Sequence, residues 1–347
     1  MIDHSRGRNR LAGAPIRHAA LVASALAIVC SVAIGVGPAA AGSPGNAQPA
    51  VVLASAAKQG CGVAVPSGST TLSLHIGGHT RTVIVHIPTV YTGKTTVPLV
   101  LNMHGSGGTA AQQELFSGMD AEADAAGFIV AYPQGLIRSG RGFDWNVPGV
   151  PLLGGAYPPK NAANDMQFLS LLVGVLQDRY CVNPSRVYAT GFSGGARITS
   201  QLACEYSNIF AAVAPVSGLR RPTPCPTIRS VPIVAFHGTG DPVDPYNGHG
   251  QAYWTYSVPQ AERYWASQDE CSTHAAMSTP DPGVTLTTYS HCGGGAVVEL
   301  YSITGEGHEW PDGPHLKKAI TRALGPQSTA VNADAVMWAF FMAHKLP

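Results

Sequence analysis

The decapeptide Val187-Tyr188-Ala189-Thr190-Gly191-Phe192-Ser193-Gly194-Gly195-Ala196 decides the fold, because it predicts a strand that runs into Gly-x-Ser-x-Gly and then a helix. Glycine at positions 191 and 195 permits a sharp, strained turn that presents the Ser193 hydroxyl above a sheet. The Gly194 amide, at the start of the helix, would face a developing oxyanion. In a chain with 40 glycines, Gly-x-Ser-x-Gly can also occur by chance, so a nucleophilic role for Ser193 requires a base and an acid elsewhere in the sequence.

The partners follow in the order that a serine hydrolase of this kind requires, which is serine, acid, histidine. Apolar residues 231–236 predict a strand, and Asp241 lies in the polar, glycine-containing loop after it. Residues 297–303 predict another strand, followed by a turn with His308. The sequence therefore predicts a triad of Ser193, Asp241 and His308.

An upstream loop predicts the second half of an oxyanion hole. The mostly apolar residues 97–103 predict a buried strand that opens into His104-Gly105-Ser106-Gly107-Gly108, whose backbone amides can point at a substrate oxygen. The competing interpretation is phosphate binding, but no Gly-Lys-Ser or Gly-Lys-Thr follows and the glycine spacing is not Gly-x-Gly-x-x-Gly.

These motifs resemble those of secreted polyhydroxybutyrate depolymerases and feruloyl esterases within the α/β-hydrolases, which are related to acetylxylan esterases. Besides the serine turn and the glycine-rich loop, the matching stretches are residues 181–188, 210–218, 237–242 and 307–311. The resemblance implies that Ser193 is the nucleophile, Asp241 the orienting acid and His308 the base. It also implies that the amides of Ser106 and Gly194 form the oxyanion hole. One departure is Asp244, where the family usually has an apolar residue, so Asp244 stays open as an alternative acid.

Strands and helices alternate along the chain, which predicts a mainly parallel, doubly wound sheet with helices on both faces. Residues 71–76 and 81–87 predict an opening hairpin, and residues 97–103 and 128–132 predict strands. We expect helices over 110–126, 165–179 and 333–344, the second capped by Asn164 or Asp165. The length of 347 residues suits one catalytic domain, which we place at 61–347.

The N-terminus predicts export. Arginines precede the apolar run 20–37, which ends in Pro38-Ala39-Ala40-Ala41, a cleavage pattern of small residues. We therefore expect a signal peptide over 1–41, cleaved near Ala41, a flexible leader over 42–60 and a secreted protein. The alternative is an uncleaved membrane anchor, because the run is close to the length of a span.

The amino-acid composition argues against nucleic acid as a binding partner. A net charge of +1 with 12% charged residues gives no basic surface for nucleic acid. We expect no metal or organic cofactor, since the proposed chemistry needs none, and we expect a monomer with no stable membrane insertion after cleavage. The partner is then the ester substrate itself.

Cysteine usage agrees with an oxidising compartment. Without Cys30 six cysteines remain, and they allow fifteen disulfide pairings, which the sequence alone leaves open. The family resemblance implies the pairs Cys61–Cys181, Cys204–Cys225 and Cys271–Cys292. We expect the last bridge to steady the strand that delivers His308.

A long stretch from 133 to 164, rich in glycine and proline, is typical of a functional loop. Trp145 within it is a candidate substrate-binding residue, and the alternative is a plug over the core. Trp310, two residues after His308, is a second candidate for the rim of a cleft.

The sequence thus predicts a serine carboxylic ester hydrolase that acts through an acyl-enzyme. The resemblance implies feruloyl or acetyl esters of plant polysaccharide as substrates, with polyhydroxybutyrate polyester or its oligomers as the alternative. The short segment after the terminal helix favours feruloylated sugars and soluble oligomers over solid polymer. A catalytically silent binding protein of the same fold is the alternative from another class, although the complete triad argues against it.

Overall fold

A computed structural model describes residues 60–314 and 323–347 of the chain. The predicted signal peptide and all of the predicted leader except residue 60 lie outside the described residues.

A large mixed sheet forms the centre of the structure. In sheet order, its ten strands are β1 (Gly68–Ile76), β2 (His79–Ile87), β4 (Ile129–Pro133), β3 (Val97–Met103), β7 (Val182–Phe192), β8 (Ala212–Val216), β9 (Ile233–Gly238), β12 (Val298–Ile303), β11 (Val284–Tyr289) and β10 (Ala276–Ser278). The inner run from β4 to β12 is parallel, and the strands outside it pair antiparallel. A separate hairpin pairs β5 (Ile137–Ser139) with β6 (Gly142–Asp144).

The helices cover both faces of this sheet. They are α1 (Ala110–Ser117), α2 (Met119–Ala126), α3 (Asp165–Arg179), α4 (Gly194–Glu205), α5 (Val258–Gln268) and α6 (Ala333–Ala343). Helices α3, α4 and α5 share one hydrophobic cluster, whereas α1, α2 and α6 share another. Strand β3 shows why the sheet is two-sided, since Leu99 and Leu101 belong to the first cluster and Val100 to the second. The predicted α/β-hydrolase fold is confirmed.

The register of the parallel strands brings their carboxyl ends to one edge. Met103 pairs with Gly191, Phe192 with Val216, and Ile303 with Gly238. The loops that follow β3, β7, β9 and β12 therefore lie together, which is where ligands bind in open parallel sheets.

One predicted helix is wrong and another is confirmed in detail. The segment 110–126 is two helices, because Gly118 adopts a left-handed φ of 69° and donates its N–H to the Glu114 carbonyl, which ends α1. Helix α3 has the predicted bounds, and the Asn164 side chain caps it by accepting from the Gln167 N–H at 2.9 Å. Asp165 instead accepts a hydrogen bond from Arg81 at 2.6 Å.

The disulfides pair as the resemblance implies, with bonds Cys61–Cys181, Cys204–Cys225 and Cys271–Cys292. That the last bridge steadies the His308 loop stays a prediction, and the structure places the bridge and the loop at opposite ends of β12. Cys292 precedes β12, and His308 follows its other end.

Within the part of the chain that the structure describes, no helix has the length and apolar character needed to cross a membrane.

Candidate active site

Ser193 sits at the turn between β7 and α4 in a strained conformation. Its φ of 53° and ψ of −111° are rare for a residue with a side chain, and they aim the side chain out of the turn. The Ser193 N–H donates to the Val216 carbonyl on β8 at 2.9 Å, and its carbonyl accepts from the Arg197 N–H at 3.0 Å. Strand and helix thus both fix the backbone of the predicted nucleophile.

The glycines after Ser193 allow the turn to contact the loop after β3. A Cβ on Gly194 would lie 2.4 Å from Ser106 Oγ and 2.9 Å from Ser106 N, so a side chain cannot fit there. A Cβ on Gly195 would lie 2.1 Å from the Met103 carbonyl oxygen. The Ser106 backbone nitrogen therefore lies beside Gly194, as a two-amide oxyanion hole requires.

Hydrogen bonds to the β5–β6 hairpin fix the glycine-rich loop. The Gly107 N–H donates to both the Phe143 carbonyl at 2.9 Å and Asp144 Oδ1 at 2.8 Å. His104 is buried, which lowers its pKa to about 4, and its Nδ1–H donates to the Gly105 carbonyl at 2.8 Å. His104 Nε2 then accepts from the Gly135 N–H at 3.1 Å. The loop is preorganised before any substrate enters.

His308 and Asp241 come together at this edge of the sheet. His308 Nδ1 lies 2.7 Å from Asp241 Oδ2, and both residues are buried. The imidazole packs against Phe192, with ring centroids 4.7 Å apart, so it stands beside the residue that precedes Ser193. Backbone contacts hold the loop, since the His308 N–H donates to the Leu324 carbonyl at 2.6 Å.

The electrostatics of this pair favour charge on both partners. Burial alone would raise the pKa of Asp241, but hydrogen bonds from His237 and His308 hold that pKa well below its ordinary value. Burial alone would lower the pKa of His308, but the hydrogen bond and charge of Asp241 raise it. Asp241 Oδ1 also accepts the backbone N–H groups of Val243 and Asp244, both at 2.8 Å. Asp241 is therefore an ionised, fixed acceptor.

Asp244 has a different partner. Its Oδ2 lies 2.9 Å from Arg197 Nη1 in a buried ion pair, and Arg197 Nη2 donates to Ser106 Oγ at 3.3 Å. The structure thus places Asp241, and not Asp244, against His308. Asp244 is linked to the glycine-rich loop through Arg197.

His237 lies behind the acid. Its Nε2 donates to the Asp244 carbonyl at 2.8 Å and is 3.3 Å from Asp241 Oδ2, and its ring stacks on Trp254. His237 belongs to the sequence motif His237-Gly238-Thr239-Gly240-Asp241, but only the fold shows that its ring lies against the Asp241 carboxylate.

The two tryptophans predicted to bind substrate are interior residues. Trp145 is 3% exposed, donates to the His104 carbonyl at 2.7 Å and stacks on the His104 ring. Trp310 is fully buried and donates to Asp334 Oδ1 at 3.1 Å. Neither indole has a free face for a ligand, so their assignment to a cleft is wrong. Trp145 is the plug that was its alternative.

Sequence reasoning missed the residues that line an adjoining groove, among them Tyr157, Arg221 and Tyr253. Tyr157 belongs to the long loop in which Trp145 was singled out, and the tyrosines of 246–256 form a local cluster in the sequence. Only their convergence in the fold distinguishes them from other surface residues. In residues 60–314 and 323–347, no group of three or more His, Cys, Asp or Glu side chains is arranged to hold a metal ion.

The sheet order and the strained turn at Ser193 are those of the α/β-hydrolase fold. The sequence model of the Esterase family matches residues 75–297. The chain therefore belongs to the Esterase family.

Relatives and a solved structure agree with this placement. The chain is 32% identical over 248 residues to feruloyl esterase B of Piromyces equi, covering 67% of this chain and 43% of that protein. It is 29% identical over 244 residues to poly(3-hydroxyalkanoate) depolymerase C of Paucimonas lemoignei, covering 62% and 56%. The chain thus spans about half the length of these relatives. In fold it resembles an acetyl xylan esterase from Aspergillus awamori, with a TM-score of 0.52, 17% identity and coverage of 72% and 96%.

Proposed function

We propose that this esterase is a serine hydrolase that works through an acyl-enzyme, with Ser193 as nucleophile, His308 as base and Asp241 as orienting acid. The observation that supports the proposal most strongly is the Asp241–His308 hydrogen bond next to the strained turn of Ser193. With Nδ1–H donated to Asp241, His308 presents Nε2 as the proton acceptor.

The reaction follows from these groups. His308 Nε2 removes the Ser193 hydroxyl proton while Oγ attacks the ester carbonyl, and the amides of Ser106 and Gly194 stabilise the tetrahedral oxyanion. Collapse of that intermediate expels the alcohol, which receives its proton from His308. Water, deprotonated by the same histidine, then releases the acid and restores Ser193.

The substrates we propose are feruloyl or acetyl esters of plant polysaccharide. The support is the similarity to feruloyl esterase B over 67% of this chain. Similarity to a poly(3-hydroxyalkanoate) depolymerase over 62% of the chain favours hydroxyalkanoate oligoester as the second candidate. We further propose that residues 61–347 form the catalytic domain of a secreted protein whose signal peptide ends near Ala41, since three disulfides suit an oxidising compartment.

A fluorophosphonate probe with peptide mapping tests the chemistry, and a rate panel tests the substrate. The probe should label Ser193 and no other serine, and Ser193→Ala should abolish labelling. Ser170→Ala is the matched control, because that hydroxyl lies on α3 and donates to the Gln167 carbonyl of the same helix. The absence of labelling in active-site-intact protein would favour a silent binding protein. Methyl ferulate, acetylated xylan and hydroxybutyrate oligomers form the panel, with 4-nitrophenyl acetate as a generic ester.

A further inference from the structure

A polar groove of about 440 Å³ opens beside the candidate active site. Its walls come from three parts of the chain, namely the loop between β6 and α3, the segment after β8 and the tyrosine-rich loop before α5. We call it the arginine–tyrosine groove, after its lining residues Tyr157, Arg220, Arg221, Tyr253 and Tyr256.

The buried Arg197 side chain connects the groove wall to the glycine-rich loop through two contacts. Arg197 lies one helical turn after Ser193, and its guanidinium carbon is 4.3 Å from the centroid of the Tyr253 ring. On its other side the same guanidinium donates to Ser106 Oγ at 3.3 Å. Tyr253 on the groove wall is therefore linked through one side chain to the loop beside Ser193.

Arg221 is the group of this groove with unused binding capacity. It is exposed and stands over Tyr256, 5.1 Å from the ring centroid. None of the residues that the structure describes forms a hydrogen bond or an ion pair with the Arg221 side chain. A guanidinium placed on an aromatic ring keeps its N–H donors free for a planar, bidentate acceptor.

The neighbouring arginines are already engaged. Arg197 is paired with Asp244, while Arg220 donates to the Gln201 side chain and to the Pro148 carbonyl at 3.0 Å. The Gln201 amide in turn donates to the carboxylate of Glu205, four residues further along α4, at 2.6 Å. The charge of Arg221 is thus the one that a ligand can neutralise.

The aromatic lining adds flat apolar surface on which a sugar ring or an acyl chain can lie. Tyr157 is 67% exposed, and Tyr253 and Tyr256 form the deeper wall. The Tyr256 hydroxyl is buried and has no hydrogen-bond partner among the described residues. An uncharged ligand would use the tyrosines but leave Arg221 without an acceptor.

We propose that this groove is a substrate subsite that recognises a carboxylate, with Arg221 as the group that binds it. This inference rests on the proposed ester hydrolysis at Ser193. Two substrates present that chemistry, a uronic acid residue in an acylated polysaccharide and the terminal carboxylate of a hydroxyalkanoate oligoester. The subsite selects acidic over neutral esters in either case.

Matched substrates test the proposal. One pair is a hydroxybutyrate trimer as the free acid and as its methyl ester, and the other is acetylated galacturonan and acetylated neutral xylan. We expect wild-type kcat/KM to favour the acidic member of one pair by about tenfold, as for a hydrogen bond to a charged group. Arg221→Gln should remove that preference, and added salt should weaken it. The pair that responds identifies the source of the carboxylate.

Arg263→Gln is the control, because Arg263 is an exposed arginine on α5 that does not line the groove. It should keep both the preference and the activity. A wild-type enzyme that hydrolyses 4-nitrophenyl acetate but shows no acidic preference in either pair would overturn the subsite alone. An enzyme without Ser193-dependent hydrolysis of any ester would instead overturn the proposed function.

Discussion

His308 Nδ1 lies 2.7 Å from Asp241 Oδ2, although 67 positions separate the two residues in the sequence. Strands β9 and β12 pair in parallel with Ile303 opposite Gly238, so the loops after them leave the sheet side by side. The acid and the histidine thus meet because of strand register. Their predicted roles can be tested one residue at a time.

Ser193→Ala should lower ester hydrolysis by roughly 10³ to 10⁶-fold, the scale seen when the nucleophile of a triad is removed. The change deletes one hydroxyl at a position fixed by backbone bonds to Val216 and Arg197, so the fold should persist. Steady-state rates on 4-nitrophenyl acetate together with circular dichroism make the check. If more than a tenth of the activity remains in folded protein, Ser193 is not the nucleophile.

Asp241→Asn should lower kcat by about 10⁴-fold, because an amide that donates to Nδ1 stabilises the wrong histidine tautomer. Asp178→Asn, on the exposed side of α3, is a control of the same chemistry and should change nothing measurable. Kinetics of both variants on 4-nitrophenyl acetate decide the assignment. An Asp241→Asn enzyme with wild-type turnover would remove Asp241 from the mechanism.

The order of the motifs was sufficient to predict the fold class and the acid–histidine contact. Gly-x-Ser-x-Gly needs a strand and a helix around it, and Asp241 and His308 each follow an apolar strand, so parallel pairing places all three at one edge. The choice between Asp241 and Asp244 needed coordinates. Both carboxylates follow β9 within a few residues. The backbone turn after Asp241, in which its Oδ1 accepts the N–H groups of Val243 and Asp244, directs Asp241 to His308 and Asp244 to Arg197.

Other features depend on contacts that no local pattern encodes. Trp145 and Trp310 were singled out for their positions in the sequence, yet both indoles are buried and each N–H has an acceptor within the fold. The break at Gly118 required a left-handed conformation that an isolated glycine in a helical pattern does not reveal. Arg221 and Tyr157 are far apart in the chain, and the fold brings both to the lining of the groove.

The pH dependence of kcat/KM should have an acidic limb whose midpoint lies above the ordinary histidine value of 6.5, since Asp241 raises the pKa of His308 against the opposing effect of burial. Activity requires neutral His308, so kcat/KM should fall as pH decreases through that pKa. Burial also raises the pKa of neighbouring Glu309 to about 7, so a variant is needed to show which residue produces the acidic limb. In residual Asp241→Asn activity the midpoint should move to lower pH. A limb that stays in place would belong to another group.

Asp244→Asn should destabilise the protein by about 3–5 kcal/mol, because it leaves Arg197 buried without its partner. Urea unfolding of this variant, with Asp178→Asn as the exposed control, measures the loss. Because the two residues act as one pair, Arg197→Gln combined with Asp244→Asn should cost less than the sum of the single changes, by about 0.5–3 kcal/mol. Additive losses would show that the ion pair contributes no coupling.

The bridge Cys271–Cys292 should stabilise the fold without supporting catalysis. It closes a loop with a sequence separation of 21, so replacing both cysteines by serine should lower the free energy of unfolding by about 3 kcal/mol. Cys292 precedes β12 and His308 follows it, and at ~3.3 Å per residue that strand keeps the two ends apart by roughly 17 Å. We therefore expect the folded variant to retain wild-type kcat on 4-nitrophenyl acetate.

The double replacement at Cys204 and Cys225 is the matched control, because its separation is also 21 and Cys204 lies near the far end of α4 from Ser193. If kcat per folded molecule drops in the Cys271 and Cys292 variant but not in the control, the bridge positions the histidine loop after all.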